Sequence, residues 1–117
     1  MYDIEFYHTS GSNVPLKKFL RDISKSYGVR DLAIIKSYID LLGQYGMRIN
    51  DYKPRSMKPI EGDLYELRPG NNRIFFFYFK ENRIVLLHGF RKKQQKTPRH
   101  EIETAKERME DYKRRFS

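Results

Sequence analysis

Residues 63–90, DLYELRPGNNRIFFFYFKENRIVLLHGF, constrain the fold more than any other part of the chain. Two short clusters, PGNN and KEN, divide the stretch into three runs, 63–68, 73–79 and 83–90. Short polar turns between runs of aromatic and β-branched residues predict antiparallel hairpins. In the first run Leu64, Glu66 and Arg68 share a face, opposite Tyr65 and Leu67. In the last two runs both parities are apolar, which predicts central strands covered on both faces. Material for two covering layers must come from the rest of the chain.

That material is present. YDIEFYH alternates, with Tyr2, Ile4 and Phe6 on one face, and predicts a strand with one buried side. After the turn cluster TSGSN the period changes. Leu16, Phe19, Leu20, Ile23 and Tyr27 fall at helical spacing from Pro15, and Gly28 is a natural stop. A second helix is predicted over 31–45, with Leu32, Ile35, Ile39 and Leu42 as its core stripe, widened by Ile34, Tyr38 and Leu41. MRINDYKPRSMKPIEG reads as a loop with one short extended piece near 56–58. A last helix follows Thr97, a cap, and Pro98, a first-turn residue; its stripe is Ile102, Ala105, Met109, Tyr112 and Phe116. Strands clustered apart from helices imply an α+β layer: a small, mainly antiparallel sheet with two N-terminal helices and one C-terminal helix. At 117 residues the expectation is a single domain, 1–117.

The net charge of +9 narrows the partners. A field of that sign draws polyanions, nucleic acid first and an anionic membrane surface second. The chain has no cysteine, hence no disulfide framework and no thiolate metal site. His8, His88 and His100 are scattered without ligand spacing, so no metal or other cofactor is expected. There is no apolar run of membrane-spanning length, and MYDIEFYHTSGS lacks the regions of a signal peptide; a cytoplasmic protein is expected.

The positive charge is concentrated. HGFRKKQQKTP places Arg91, Lys92, Lys93 and Lys96 at the seam between the last strand and the last helix, with no acid among them. Arg73 opens the second hairpin strand just across the turn from Arg68. Two adjacent guanidiniums call for an anion between them, or for Glu66 as an ion-pair partner. Such a cluster suits RNA cleavage without a metal. The ribose 2′-OH attacks the adjacent phosphorus; a base takes its proton, an acid protonates the leaving 5′-oxygen, and cations hold the added charge. A plain RNA-binding site needs the same charges. His88, on an apolar strand, reads as a satisfied core histidine before a catalytic one, and Tyr78 and Phe79 as core before base-stacking platforms.

LYELRPGNNRIFFFYF followed by IVLLHGFRKKQQKTPRHEIETAKERMEDY resembles the HigB-type host-inhibition toxins of the RelE/ParE toxin superfamily, including related phage-derived toxin-like proteins. The specific part is 64–112, within an order of elements that matches over nearly the whole chain. The resemblance implies a curved sheet flanked by helices (a RelE-like fold) and a type II toxin–antitoxin pair. It implies an endoribonuclease that cuts mRNA on the ribosome, and a cognate helix-turn-helix antitoxin through which operator DNA is bound. In that setting Arg68 and Arg73 would hold the scissile phosphate, Lys93 or Lys96 would transfer protons, and Arg91, Lys92 and Arg99 would grip RNA backbone. Some superfamily toxins inhibit gyrase instead, and a non-catalytic RNA-binding module is the remaining alternative. The N-terminal helices, with Tyr27, Tyr38 and Tyr45, are the expected antitoxin surface.

Overall fold

In the computed structural model, which describes residues 1–117, the elements are β1 (Asp3–Phe6), α1 (Pro15–Tyr27), α2 (Val29–Tyr45), a 3-10 turn (Gly46–Arg48), the one-turn α3 (Ile49–Tyr52), β2 (Met57–Glu61), β3 (Leu64–Leu67), β4 (Asn72–Phe79), β5 (Arg83–Arg91) and α4 (Arg99–Phe116). The strands form one sheet in the order β1-β5-β4-β3-β2. β2 through β5 pair antiparallel in chain order, as the hairpin signals predict, and β1 pairs parallel with β5.

Both central strands are covered on both faces, and their side chains divide by parity. Phe75, Phe77 and Phe79 of β4 and Val85 and Leu87 of β5 pack under α4, against Ala105, Met109 and Tyr112. Ile74 and Phe76 of β4 and Ile84 and Leu86 of β5 pack under the other helices, against Leu16, Ile23, Ile35 and Leu42. Ile4 and Phe6 of β1, with Tyr2 just before it, join this second layer, while Tyr7 joins the α4 layer.

One irregularity matters for the site. Phe75 pairs with His88 but Phe76 pairs with Leu86, so Leu87 is an extra residue in β5. A bulge of this kind turns two successive side chains toward one face. Leu87 and His88 both face α4: Leu87 lies in its core, and His88 touches Glu101 and Arg108 on the helix.

Several boundaries differ from the sequence reading. α2 begins at Val29, because Gly28 alone, at φ 92°, turns the chain out of α1. The expected loop contains the 3-10 turn, α3 and all of β2; Asn50 holds that path by bonding both the N–H and the C=O of Met57 with its side chain. Thr97 does not cap α4: Pro98 is the N-cap, without a side-chain cap bond, and the Thr97 hydroxyl donates to Glu66 Oε2 at 3.4 Å. Ile34 is exposed rather than core, and Tyr38 is half-buried. Gly46, at φ 56°, passes so close to the Tyr2 ring that a Cβ would come within 2.2 Å of it.

Candidate functional site

At the end of the sheet beyond the N-terminus of α4, two strands, β2 and β4, and the chain leaving two others, β3 and β5, each bring a cation to the α4 face. β2 places Lys58 opposite Glu66 of β3. Glu66 pairs with Phe75 and Arg73 with Phe90, all of the same parity. The Lys92 N–H donates to the Asn71 carbonyl at 2.8 Å, extending the β4–β5 ladder one step, so Lys92 falls on the side of Phe90 and Arg73. The Arg68 N–H donates to the Ser56 carbonyl at 2.8 Å and extends the β2–β3 ladder likewise.

Glu66 lies at the centre with 1% of its side chain exposed, 3.7 Å from Arg68 Nε and 3.8 Å from Arg73 Nε. Neither separation is a hydrogen bond, so the carboxylate holds both guanidiniums by charge alone. Arg73 is 8% exposed, and its Nη1 donates to the carbonyls of Gly70 and Asn72, each at 2.8 Å. Its Nε has no partner. With Asn72 Oδ1, it makes up the pair of buried side-chain polar atoms in the molecule left without a hydrogen bond. Buried donors are nearly always satisfied, so an orphan on a cation marks a place where an acceptor belongs.

Burial and then the Arg73 guanidinium hold the Lys92 ammonium below the usual lysine value; Glu66 opposes them, while Arg68 and Lys58 add to the depression. Burial also lowers Arg73, against Glu66, although an arginine stays charged regardless. Four cations around one carboxylate leave a strong positive excess. The chemistry available is to clamp a tetrahedral anion in guanidinium forks and to exchange a proton with it through a lysine of reduced basicity.

The fold thus brings together Arg68, Arg73 and Lys92 of the residues singled out in the sequence. Lys93 and Lys96 are exposed on the following loop, where Lys93 lines a shallow cleft with Phe90 and Glu101. Arg91 turns away, paired with Asp31 and lying 3.9 Å over the Tyr27 ring. Arg99 is held by Glu61 at 2.9 Å and Glu103 at 2.7 Å. Lys58 is the member that the sequence reading missed. Its place depends on the β2–β3 register, and only an extended piece near 56–58 hinted at that pairing.

His88 is engaged at both ring nitrogens. Nδ1 lies 3.2 Å from Arg108 Nη1 and Nε2 lies 2.6 Å from Glu101 Oε1. A guanidinium can only donate, so Nδ1 accepts and Nε2 carries the hydrogen. Burial pushes the His88 pKa down, outweighing the pull of Glu101, so this contact is a hydrogen bond from a neutral ring rather than an ion pair at neutral pH. Phe79 is buried as core, while Tyr78 is 41% exposed, edge-on to Tyr2. No three of the His, Asp and Glu side chains gather as a metal-ligand set. No helix is long and apolar enough to cross a membrane.

Comparison with known proteins agrees with the motif. The chain is 43% identical over 72 residues to proteins named "Probable endoribonuclease HigB1" from two strains of Mycobacterium tuberculosis; the match takes in 58% of this chain. It spans 57% of the length of these curated relatives. The family model described as "Phage derived protein Gp49-like" matches residues 18–110, a span that includes most of α1, all of α2, the hairpin strands and most of α4. The likeness to HigB-type and phage-derived toxin-like proteins seen in the sequence is borne out, and the chain belongs to the phage-derived Gp49-like family.

Proposed function

We propose that the protein is the toxin of a type II toxin–antitoxin pair, an endoribonuclease that cuts mRNA on the ribosome without a metal. The observation that carries this reading is the buried Arg73 with its unpartnered Nε, set among Arg68, Lys92 and Lys58. The names of its relatives support the same reaction class.

In the reaction, Arg73 and Arg68 hold the non-bridging oxygens of the scissile phosphate. Lys92, kept less basic by burial and by the Arg73 guanidinium, takes the proton of the 2′-OH as that oxygen bonds to phosphorus. The P–O5′ bond breaks, and Lys93 or Lys96, exposed on the loop after β5, delivers a proton to the leaving oxygen. The products are a 2′,3′-cyclic phosphate and a 5′-hydroxyl. The fixed guanidiniums stabilise the phosphorane charge without reorganising. Arg91 and Arg99 reach RNA backbone by exchanging Asp31 and Glu61 for phosphate. A cognate helix-turn-helix antitoxin neutralises the toxin, and operator DNA is met only through that complex.

The test is a reconstituted translation reaction with mRNA ends mapped, run beside Arg73→Ala and a control lacking ribosomes. Cuts that need ribosomes and vanish in a folded Arg73→Ala protein are the expected result. A toxic, folded protein that leaves mRNA intact would overturn the nuclease reading and direct the next assay to gyrase.

A further inference from the structure

A groove of about 820 Å3 opens beside the cation cluster, on the α2 side of the β3–β4 turn. Ser37, Tyr38 and Asp40 of α2, Tyr52 and Lys53 at the end of α3, and Gly70 of the turn contribute to its walls. Gly70 joins the two places. Its carbonyl receives the 2.8 Å hydrogen bond from Arg73 Nη1. Gly70 thus both lines the groove and accepts from the guanidinium that the proposed reaction assigns to the phosphate.

Tyr52 is 60% exposed, and its ring stacks on Tyr45 at 4.6 Å between centroids with 15° between planes. The stack braces the ring that walls the groove. Lys53 carries its ammonium 5.6 Å from the centroid of the Tyr38 ring. Asp40 is an exposed carboxylate in a strongly basic protein, yet no lysine or arginine pairs with it. A braced aromatic ring, a cation and a free carboxylate, in a groove that shares Gly70 with the phosphate site, match the parts of a nucleotide.

We infer that the groove holds a nucleobase flanking the phosphate at Arg73. The base stacks on Tyr52, Lys53 meets the next phosphate, and Asp40 accepts hydrogen bonds from N–H groups on the base edge. The inference rests on the phosphate reading of Arg73. A carboxylate favours adenine, cytosine and guanine, which present amino groups, over uracil, whose single N3–H lies between two repelling carbonyls.

The experiment uses 2′-O-methyl RNAs of about ten nucleotides, one for each base, which bind but resist cleavage, with 2-aminopurine moved along the strand. Affinity, its salt dependence and 2-aminopurine quenching are measured for wild type, Tyr52→Leu, Asp40→Asn and Arg73→Ala. Tyr52→Leu is expected to lose the quenching and about tenfold in affinity with its salt slope unchanged, since it removes stacking but no charge. Asp40→Asn is expected to weaken the adenine, cytosine and guanine strands several-fold and leave the uracil strand as it was. If Asp40→Asn instead tightens every strand alike, the carboxylate only repels phosphate. If that happens, or if Tyr52→Leu quenches like wild type, the inference falls while the Arg73 reading stands, and the groove is left for a protein partner. An Arg73→Ala protein with unaltered affinity and salt slope would sink the phosphate reading, and this inference with it.

Discussion

Replacing Glu66 with Gln keeps the shape of the side chain and deletes the one negative charge among Lys58, Arg68, Arg73 and Lys92. Removing one partner of a buried ion pair costs about 3–5 kcal/mol, because the other charge is stranded. Here the Arg73 side chain is only 9% exposed but that of Arg68 is 29%, and both stand beyond hydrogen-bond distance. The expected loss is therefore lower, about 2–3 kcal/mol. With a urea slope of about 1–3 kcal/mol per molar for a protein of this size, the unfolding midpoint should drop by roughly 0.7–3 M. A double-mutant cycle isolates the cause: Glu66→Gln with Arg73→Met should lose much less than the two single variants together. Glu66 also raises the Lys92 pKa, so in Glu66→Gln the rising limb of kcat/KM against pH should move to lower pH. A midpoint within error of wild type, an additive cycle and an unmoved limb would together refute the view that this carboxylate sets the electrostatics of the site.

Two further outcomes follow from particular contacts. A Cβ at Gly89 would lie 2.5 Å from Phe19 Cδ2 and 2.9 Å from Leu16 Cδ1, so Gly89→Ala should force α1 off the sheet and cost about 1–3 kcal/mol in a thermal or urea melt; wild-type stability would show that α1 yields freely. Hydrogen bonds from Arg99 and then Lys106 hold the Glu61 carboxyl down to about 2. This pKa is depressed on folding, so its stabilisation is whole above the unfolded value of about 4.3 and is lost as pH falls toward the folded one. The melting temperature of Glu61→Gln should be flatter than that of wild type across that window, and parallel curves would refute the coupling.

Much of the fold is legible because its signals are local. Two-sided apolarity in 73–79 and 83–90, with PGNN and KEN between, prescribes covered antiparallel strands before any tertiary contact is known. β1 is legible as a strand, but its parallel place beside β5 is a long-range choice that no local spacing encodes. β2 was hidden because Pro54 and Pro59 and the mixed charge of its surroundings imitate a loop. Proline is tolerated on an edge strand, where one side of the backbone goes unpaired, and β2 is the edge. Lys58 went unseen with it.

The basic segment after β5 shows why charge can be read more easily than geometry. From Val85 and Leu87, which pack under α4, counting in twos leads to Gly89, Arg91 and Lys93. On that count Lys93 would share the face of Arg73. The bulge at Leu87 resets the phase, so His88, Phe90 and Lys92 take over the α4 face. One inserted residue, invisible in composition and in pattern, exchanges which of two adjacent lysines stands beside the arginines. It also directs His88 to Glu101 and Arg108, ties α4 to β5 at that point, and leaves Gly89 as the residue on which α1 closes. The same bulge thus sets the lysine, the histidine contact and the helix approach, so a register error in β5 would misplace all three at once.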